Sequence, residues 1–338
     1  MKARNEYDLI RRNISSEEYL KLESLKIVDG ITNVPPQSFR SHPNLRTVNI
    51  SDSIKYIYSH AFEHCDSLEA ISIPNSVVSI GPAAFSFCKN LKSVFIGLGV
   101  EKIDRFAFSL CSNLTSIIIH NSKALFCKRA FYGCRNLSSI DISGNINLNC
   151  FEEGVFGGCE KLLSLKIDNN LYYDSRDNCN AIIETNSNSL YWGCASTIIP
   201  HSVTSISRYA FRGNILLKSI VIPGSVVRIK VGAFAGCSKL SSVKFEEGIT
   251  EIEDSAFFGC KMKSITIPEG LKKIENNAFA WCSNLAEVYL PDSVEEIGEH
   301  VFFECRKLKS IYIPKGSLNK FKSLFIPWYH IYLKELSV

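Results

Sequence analysis

Apolar residues return along this chain at two alternating spacings. In "LEAISIP" (68–74) Ile71 and Ile73 stand two apart among small polar residues, which turns one face of an extended strand into a core. Pro74 closes the run, because proline cannot donate to a continuing strand ladder. In "VVSIGPAAFSFC" (77–88) the apolar positions Val77, Ile80, Ala84, Phe85 and Cys88 keep a wider step. That step predicts a turn followed by a short helical or 3₁₀ segment.

The two-part unit repeats. Phe39, Phe62, Phe85, Phe108 and Phe131 are each 23 residues apart, Phe156 follows after 25, and a gap of 55 leads to Phe211. Phe234, Phe257, Phe279 and Phe302 then resume the rhythm, and the frame runs backward through Leu22, Leu25, Ile27, Ile31 and Val34. One such unit cannot bury its own apolar face; stacked units share a continuous core, with strands ~4.8 Å apart. The reading is one elongated solenoid of about a dozen rungs with a parallel sheet on its concave side, despite a length that would otherwise suggest two or three domains. Residues 1–38 form an N-terminal lead-in and capping repeat, with "ISSEEYLKLES" as its helix. Residues 39–314 carry the repeats, enlarged at about 167–200, and 315–338 break phase as a C-terminal cap.

The recurring "LxxIxIPxxVxxIxxxAFxxC", seen in residues 68–88 and 285–305, resembles the BspA-like leucine-rich repeat family. The resemblance covers residues 16 to about 314. It implies a leucine-rich-repeat solenoid, and a secreted or cell-surface protein with an adhesin-like role.

Composition adds exclusions more than detail. Hydrophobic content of 46% and charged content of 21% fit an ordered chain. A net charge of +4, without a basic block, gives no electrostatic reason to expect nucleic acid. No apolar run approaches the ~20 residues of a membrane span. The N-terminal "MKARNEYDLIRRN" has no apolar stretch of the kind a secretion signal needs. The chain is therefore cytosolic if Met1 is its native start, or else a mature segment whose leader has been removed.

Nine of the 13 cysteines (Cys65, Cys88, Cys111, Cys134, Cys159, Cys237, Cys260, Cys282 and Cys305) stand three residues after the repeat Phe. Such a column suits a small, soft side chain with a weak S–H donor in a tight buried turn. Where it departs from Cys it takes His42 and Asn214, which can also bond nearby backbone. Of the off-column Cys127, Cys150, Cys179 and Cys194, the last two flank a hairpin-like insert and are the pair to test for a disulfide. No Cys-x-x-Cys pair supports a metal, and no cofactor is expected. His300 beside Cys305 is a nucleophile–base pair by proximity alone. "GLGVEK" at Gly97 lacks the third glycine of a nucleotide loop and reads better as a substitute for the usual proline. "NLT" at Asn113 and "NLS" at Asn136 match glycosylation acceptors.

Binding is the remaining chemistry. The first outward column of the strands is nearly all serine, from Ser93 and Ser116 to Ser310. The second varies: Phe95, Ile118, Asp141, Lys166, Val221, Lys244, Tyr289 and Tyr312. A variable column on a constant floor is what recognition on a common scaffold requires, although strands favour Tyr, Phe, Ile and Val in any case. The insert at 167–194, with "AIIE" and "LYWGC" as a hairpin, offers Tyr172, Asp174, Arg176, Asp177 and Trp192; its two aspartates lack the spaced ligands of a calcium loop. The expectation is a monomeric, non-catalytic module recognising a protein or glycan. A cytosolic scaffold is the alternative, and an enzyme with a site near the insert is a weaker one.

Overall fold

The computed structural model describes residues 2–3, 16–119, 124–143, 154–168 and 172–336. Its contacts divide the chain into two compact units, Met1–Asp174 and Ser175–Val338, and the division falls inside the segment where the period breaks.

In the first unit each repeat lays down one long and one short strand. The long strands, from Ser24–Ile27 through Ala70–Ile73, Ser93–Ile96, Ser116–Ile119 and Ser139–Ser143 to Ser164–Asp168, pair in parallel in chain order. Their register steps by one repeat, so Ser93, Ser116, Ser139 and Ser164 lie side by side. Ile71, Ile73, Val94, Ile96, Ile117 and Ile119 face the core, as their two-residue alternation requires. Short strands between Asn33–Val34 and Leu125–Phe126 form a second, five-stranded sheet.

The second unit repeats this plan. Ser219–Ile222 pairs with Ser242–Phe245, and Ser264–Thr266, Glu287–Tyr289, Ser310–Ile313 and Leu333–Glu335 form a four-stranded parallel set. The expected hairpin is present as antiparallel Ala181–Glu184 and Ser189–Gly193. Its second strand continues in parallel onto Ser205–Ile206, the first of the short strands.

The segments opposite the long strands are turns, and their backbone explains why. Gln37, His60, Ala83, Phe106 and Arg129, two residues before the repeat Phe, all have φ of 52–59°. Ser41, His64, Phe87 and Leu110, two residues after it, have φ of 57–61°. Alternating left-handed residues send successive N–H groups to different places. His60, Phe62 and His64 donate to Pro82, Ala84 and Ser86 of the next rung, while Ala61, Glu63 and Cys65 bond back within their own turn. Each left-handed L-residue costs roughly 1–2 kcal/mol, and the completed hydrogen bonding offsets it. Among the described residues, helix is confined to Ser16–Leu20, Leu318–Leu324 and the 3₁₀ segments Arg176–Asn178 and Pro327–Tyr332.

Inside the turns the repeat phenylalanines stack. Centroids from Phe39 through Phe131 are 5.1–5.2 Å apart, and those from Phe211 through Phe279 are 4.8–5.3 Å apart. At the C-terminal end Phe302 meets Phe325 and Tyr329 at 6.2 and 5.9 Å, and these with Phe321 are buried.

Candidate ligand-binding face

The cysteine column is structural. Cys88 Sγ donates to the Phe62 carbonyl at 3.1 Å, and the same oxygen accepts the Cys65 N–H at 3.2 Å. One thiol therefore occupies the second lone pair of the preceding repeat's Phe carbonyl, and all nine column cysteines make this bond. Where Cys is replaced, the substitute also bonds backbone. Asn214 Oδ1 accepts from Leu216 and Leu217, and His42 Nε2 lies 2.5 Å from the Tyr19 carbonyl oxygen. Burial pushes the Cys65, Cys134 and Cys237 thiols up to about 12, the reverse of what a nucleophile needs. Cys305 donates to Phe279 O, while His300 rests edge-on against Phe303, so the two make no nucleophile–base hydrogen bond.

Every described cysteine is buried and none forms a disulfide, the Cys179 and Cys194 pair singled out for testing included. The hairpin turns both inward, where Cys194 Sγ donates to Asn180 O at 3.2 Å and Cys179 Sγ faces Ala181 O at 3.8 Å. Cys150 lies outside the described residues. Among those described, no three His, Cys, Asp or Glu side chains gather as a metal would require, and no helix is long and apolar enough to cross a membrane. Gly97 does stand where the previous rung has Pro74: a Cβ there would lie 2.5 Å from Pro74 C, so the glycine serves close backbone approach.

On the outward face of the long strands the first unit brings Phe95, Ile118, Asp141 and Lys166 into one register-matched row. Phe95 is 52% exposed and Ile118 45%, an open apolar pair with the oppositely charged Asp141 and Lys166 next in the row. An open cavity of about 520 Å³ flanks Phe95, with Asn49, Asp52, Ser72 and Asn75 on its walls. The second unit sets Lys244 in the open and stacks Tyr289 on Tyr312, 4.7 Å between centroids. Both tyrosines are half-buried, and Tyr289 Oη donates to Glu287 at 3.4 Å. Loss of solvent, then the Glu287 carboxylate, raises the Tyr289 hydroxyl above its ordinary pKa.

The insert residues are not brought together as one exposed group. Tyr172 and Asp174 are half-buried in the first unit. In the second, Asp177 is exposed, and Arg176 Nη1 donates to Asn188 and Ser202 at 2.8 and 3.4 Å, bracing the hairpin. Trp192 is only 5% exposed, so the structure places its ring inside rather than at the surface expected.

The family described as "BspA type Leucine rich repeat region (6 copies)" matches residues 13–124, 97–191 and 204–325. The chain belongs to this family. No curated protein matches it. Among solved structures, a leucine rich cell surface protein from Faecalibacterium prausnitzii A2-165 is 27% identical, covering 96% of this chain and 85% of its own, with a TM-score of 0.62. The pneumococcal vaccine antigen PcpA shares the fold at 20% identity, 86% and 68% coverage and a TM-score of 0.59. A leucine-rich repeat protein from Bacteroides ovatus does so at 24%, 94% and 84%, with 0.53.

BspA-type spacing alone points to the row on the long strands. The residues it misses are Asp52 and Asn75 beside Phe95, which belong to the loops after the strands and carry no periodic signal. Asp52 and Asn75 line the cavity, whereas Val221, half-exposed, is already in the variable column.

Proposed function

We propose that this BspA-type protein is a non-catalytic binding module that recognises a protein or glycan ligand through the outward row of its long strands, at the cell surface. One observation carries the reading. The floor of the row is serine from Ser93 to Ser164, whereas the adjacent column leaves Phe95 and Ile118 open to solvent, with a cavity beside Phe95 that has Asn49, Asp52, Ser72 and Asn75 among its walls. Adjacent exposed aromatic and aliphatic side chains on an open sheet face make good interface anchors. The surface location draws on the family and on the Faecalibacterium protein, which is named as a cell surface protein.

The test is a binding screen of purified protein against extracellular-matrix proteins and glycans, with Phe95→Ser/Ile118→Ser and Tyr289→Ser/Tyr312→Ser variants beside it. Binding lost in either variant supports the row. Binding retained in both moves recognition elsewhere, and no binding in any sample counts against the module. A cytosolic scaffold is the second reading, favoured by the free thiols, since exported proteins commonly oxidise theirs. Burial weakens that argument, because enclosed thiols meet no oxidant.

A further inference from the structure

At the C-terminal end of the second unit, aromatic side chains stand open where the rest of the unit encloses them. Phe258, Trp281 and Phe303 lie on successive turns, with centroids 6.4 Å apart at each step. Each of the three is exposed. The row leads to an open cavity of about 500 Å³ between the last turn and the C-terminal segment. Trp328 lines it and is 73% exposed. Its neighbours Phe325 and Tyr329 supply the packing against Phe302, so the fold does not spend Trp328 on its core. On the cavity wall Arg306 Nε donates to Glu304 Oε2 at 2.6 Å.

The volume falls within the roughly 300–1,000 Å³ of small-molecule sites, which combine apolar and aromatic walls with a few polar groups. The polar groups select the ligand class. A cation would gain from the ring faces but meets Arg306. An anion meets Glu304 and the negative faces of the rings. An aliphatic chain leaves the remaining donors of Arg306 and lone pairs of Glu304 unused. A neutral sugar ring suits these groups and also the His300 imidazole on the same wall, which can donate to or accept from a hydroxyl. The sugar's C–H face lies on the indole, while adjacent hydroxyls, each both donor and acceptor, bond Glu304 and Arg306 together. The geometry points to a saccharide site in which a neutral sugar stacks on Trp328 and is held by Glu304 and Arg306. This site is separate from the long-strand row and does not depend on it.

Tryptophan emission tests it directly on the full chain. Trp192 is buried, so Trp281 and Trp328 report on ligands arriving from solvent. The probes are chitotriose, cellotriose, maltotriose and lactose. The expected result is a saturable emission change with at least one of them. Affinity should fall by about tenfold or more in Trp328→Ala and in Glu304→Gln, return in part in Trp328→Phe, and stay unchanged in Tyr56→Ser, an exposed residue of the first unit that lines neither surface. Circular dichroism melting should show Trp328→Ala folded, as its exposure requires. No saturable change with any probe overturns the proposal, as does undiminished affinity in Trp328→Ala. Displacement of the sugar by an apolar peptide as effectively as by the sugar itself would make the groove a protein-docking surface and overturn it too.

Discussion

Two parts of the second unit bury aromatic rings by different means. From Phe211 to Phe279 the chain repeats one solution, with a Phe per rung stacked at about the strand spacing and its carbonyl taking both an N–H and a thiol. The hairpin Ala181–Gly193 solves the problem once. Ala181, Ile182 and Ile183 are all buried, so its strands have no solvent face, and Trp192 is enclosed among them. The two meet at Gly193, where a Cβ would fall 2.1 Å from the Phe211 ring. A repeat tolerates variety on its outer face because translation fixes its inner one. A unique element has no such division, and its residues are constrained on both sides. That difference places the variable, exposed positions on the long strands and the turns, rather than on the hairpin that interrupts them.

The largest expected effect breaks the repeated solution. Phe234 is fully buried between Phe211 and Phe257. Phe234→Ala should cost about 3–5 kcal/mol in denaturant unfolding; a loss below ~1 kcal/mol would mean that the stack does not hold the unit together. Next comes the junction. Gly193→Ala must displace the Phe211 ring and should cost about 1–3 kcal/mol. The same substitution at Gly270, which has open space around it, meets only its φ of 92°. Gly193 has no positive φ of its own, so a cost below ~0.5 kcal/mol there would show that the Phe211 ring yields freely and does not require the glycine.

How far this was readable in advance follows from the same contrast. The Phe row, the cysteine column and the buried Ile pairs were legible because translation prints each contact into the sequence every 23 residues or so. Asn214 and His42 were legible as stand-ins because they break the column and can bond backbone. The left-handed turns were not: Gln37, His60, Ala83, Phe106 and Arg129 share no residue type, and glycine, the usual sign of positive φ, is missing from all five. Apolar spacing there suggested short helix, although hydrogen bonds to the next rung, invisible in one repeat, select a turn. Trp192 misled for a further reason. A single-copy element offers no second example against which to judge which side faces inward. The open aromatics Trp281 and Trp328 carried no signal by period, since Trp328 lies beyond the last repeat.

A smaller effect separates the thiol from its burial. Cys237→Ala should cost about 1–2 kcal/mol, from the lost S–H bond to Phe211 O and a shallow void. Burial raises this thiol to about 12 from 9.0, so folding favours its protonated form. The stabilisation it contributes is complete below about pH 9, where the unfolded thiol is also protonated, and is lost as pH rises from there toward 12. Wild type should therefore lose stability over that window more steeply than Cys237→Ala when unfolding is followed at each pH. Parallel curves would mean that solvent reaches the column.

The smallest expected effect concerns the turns. Ala83 sits at φ 52° with its N–H donating to Arg105 O, and its methyl makes no hydrogen bond. Gly154 and Gly232 occupy the same place in other repeats, also with positive φ. Ala83→Gly relieves roughly 1–2 kcal/mol of left-handed strain but frees the unfolded chain by about 0.4–1 kcal/mol. The net should be a gain of about 0–1.5 kcal/mol, visible as a higher denaturation midpoint with an unchanged slope. Destabilisation beyond that size would show that the Ala83 methyl packs strongly enough to outweigh the strain, and that the turns, like the hairpin, are constrained by contacts as well as by backbone shape.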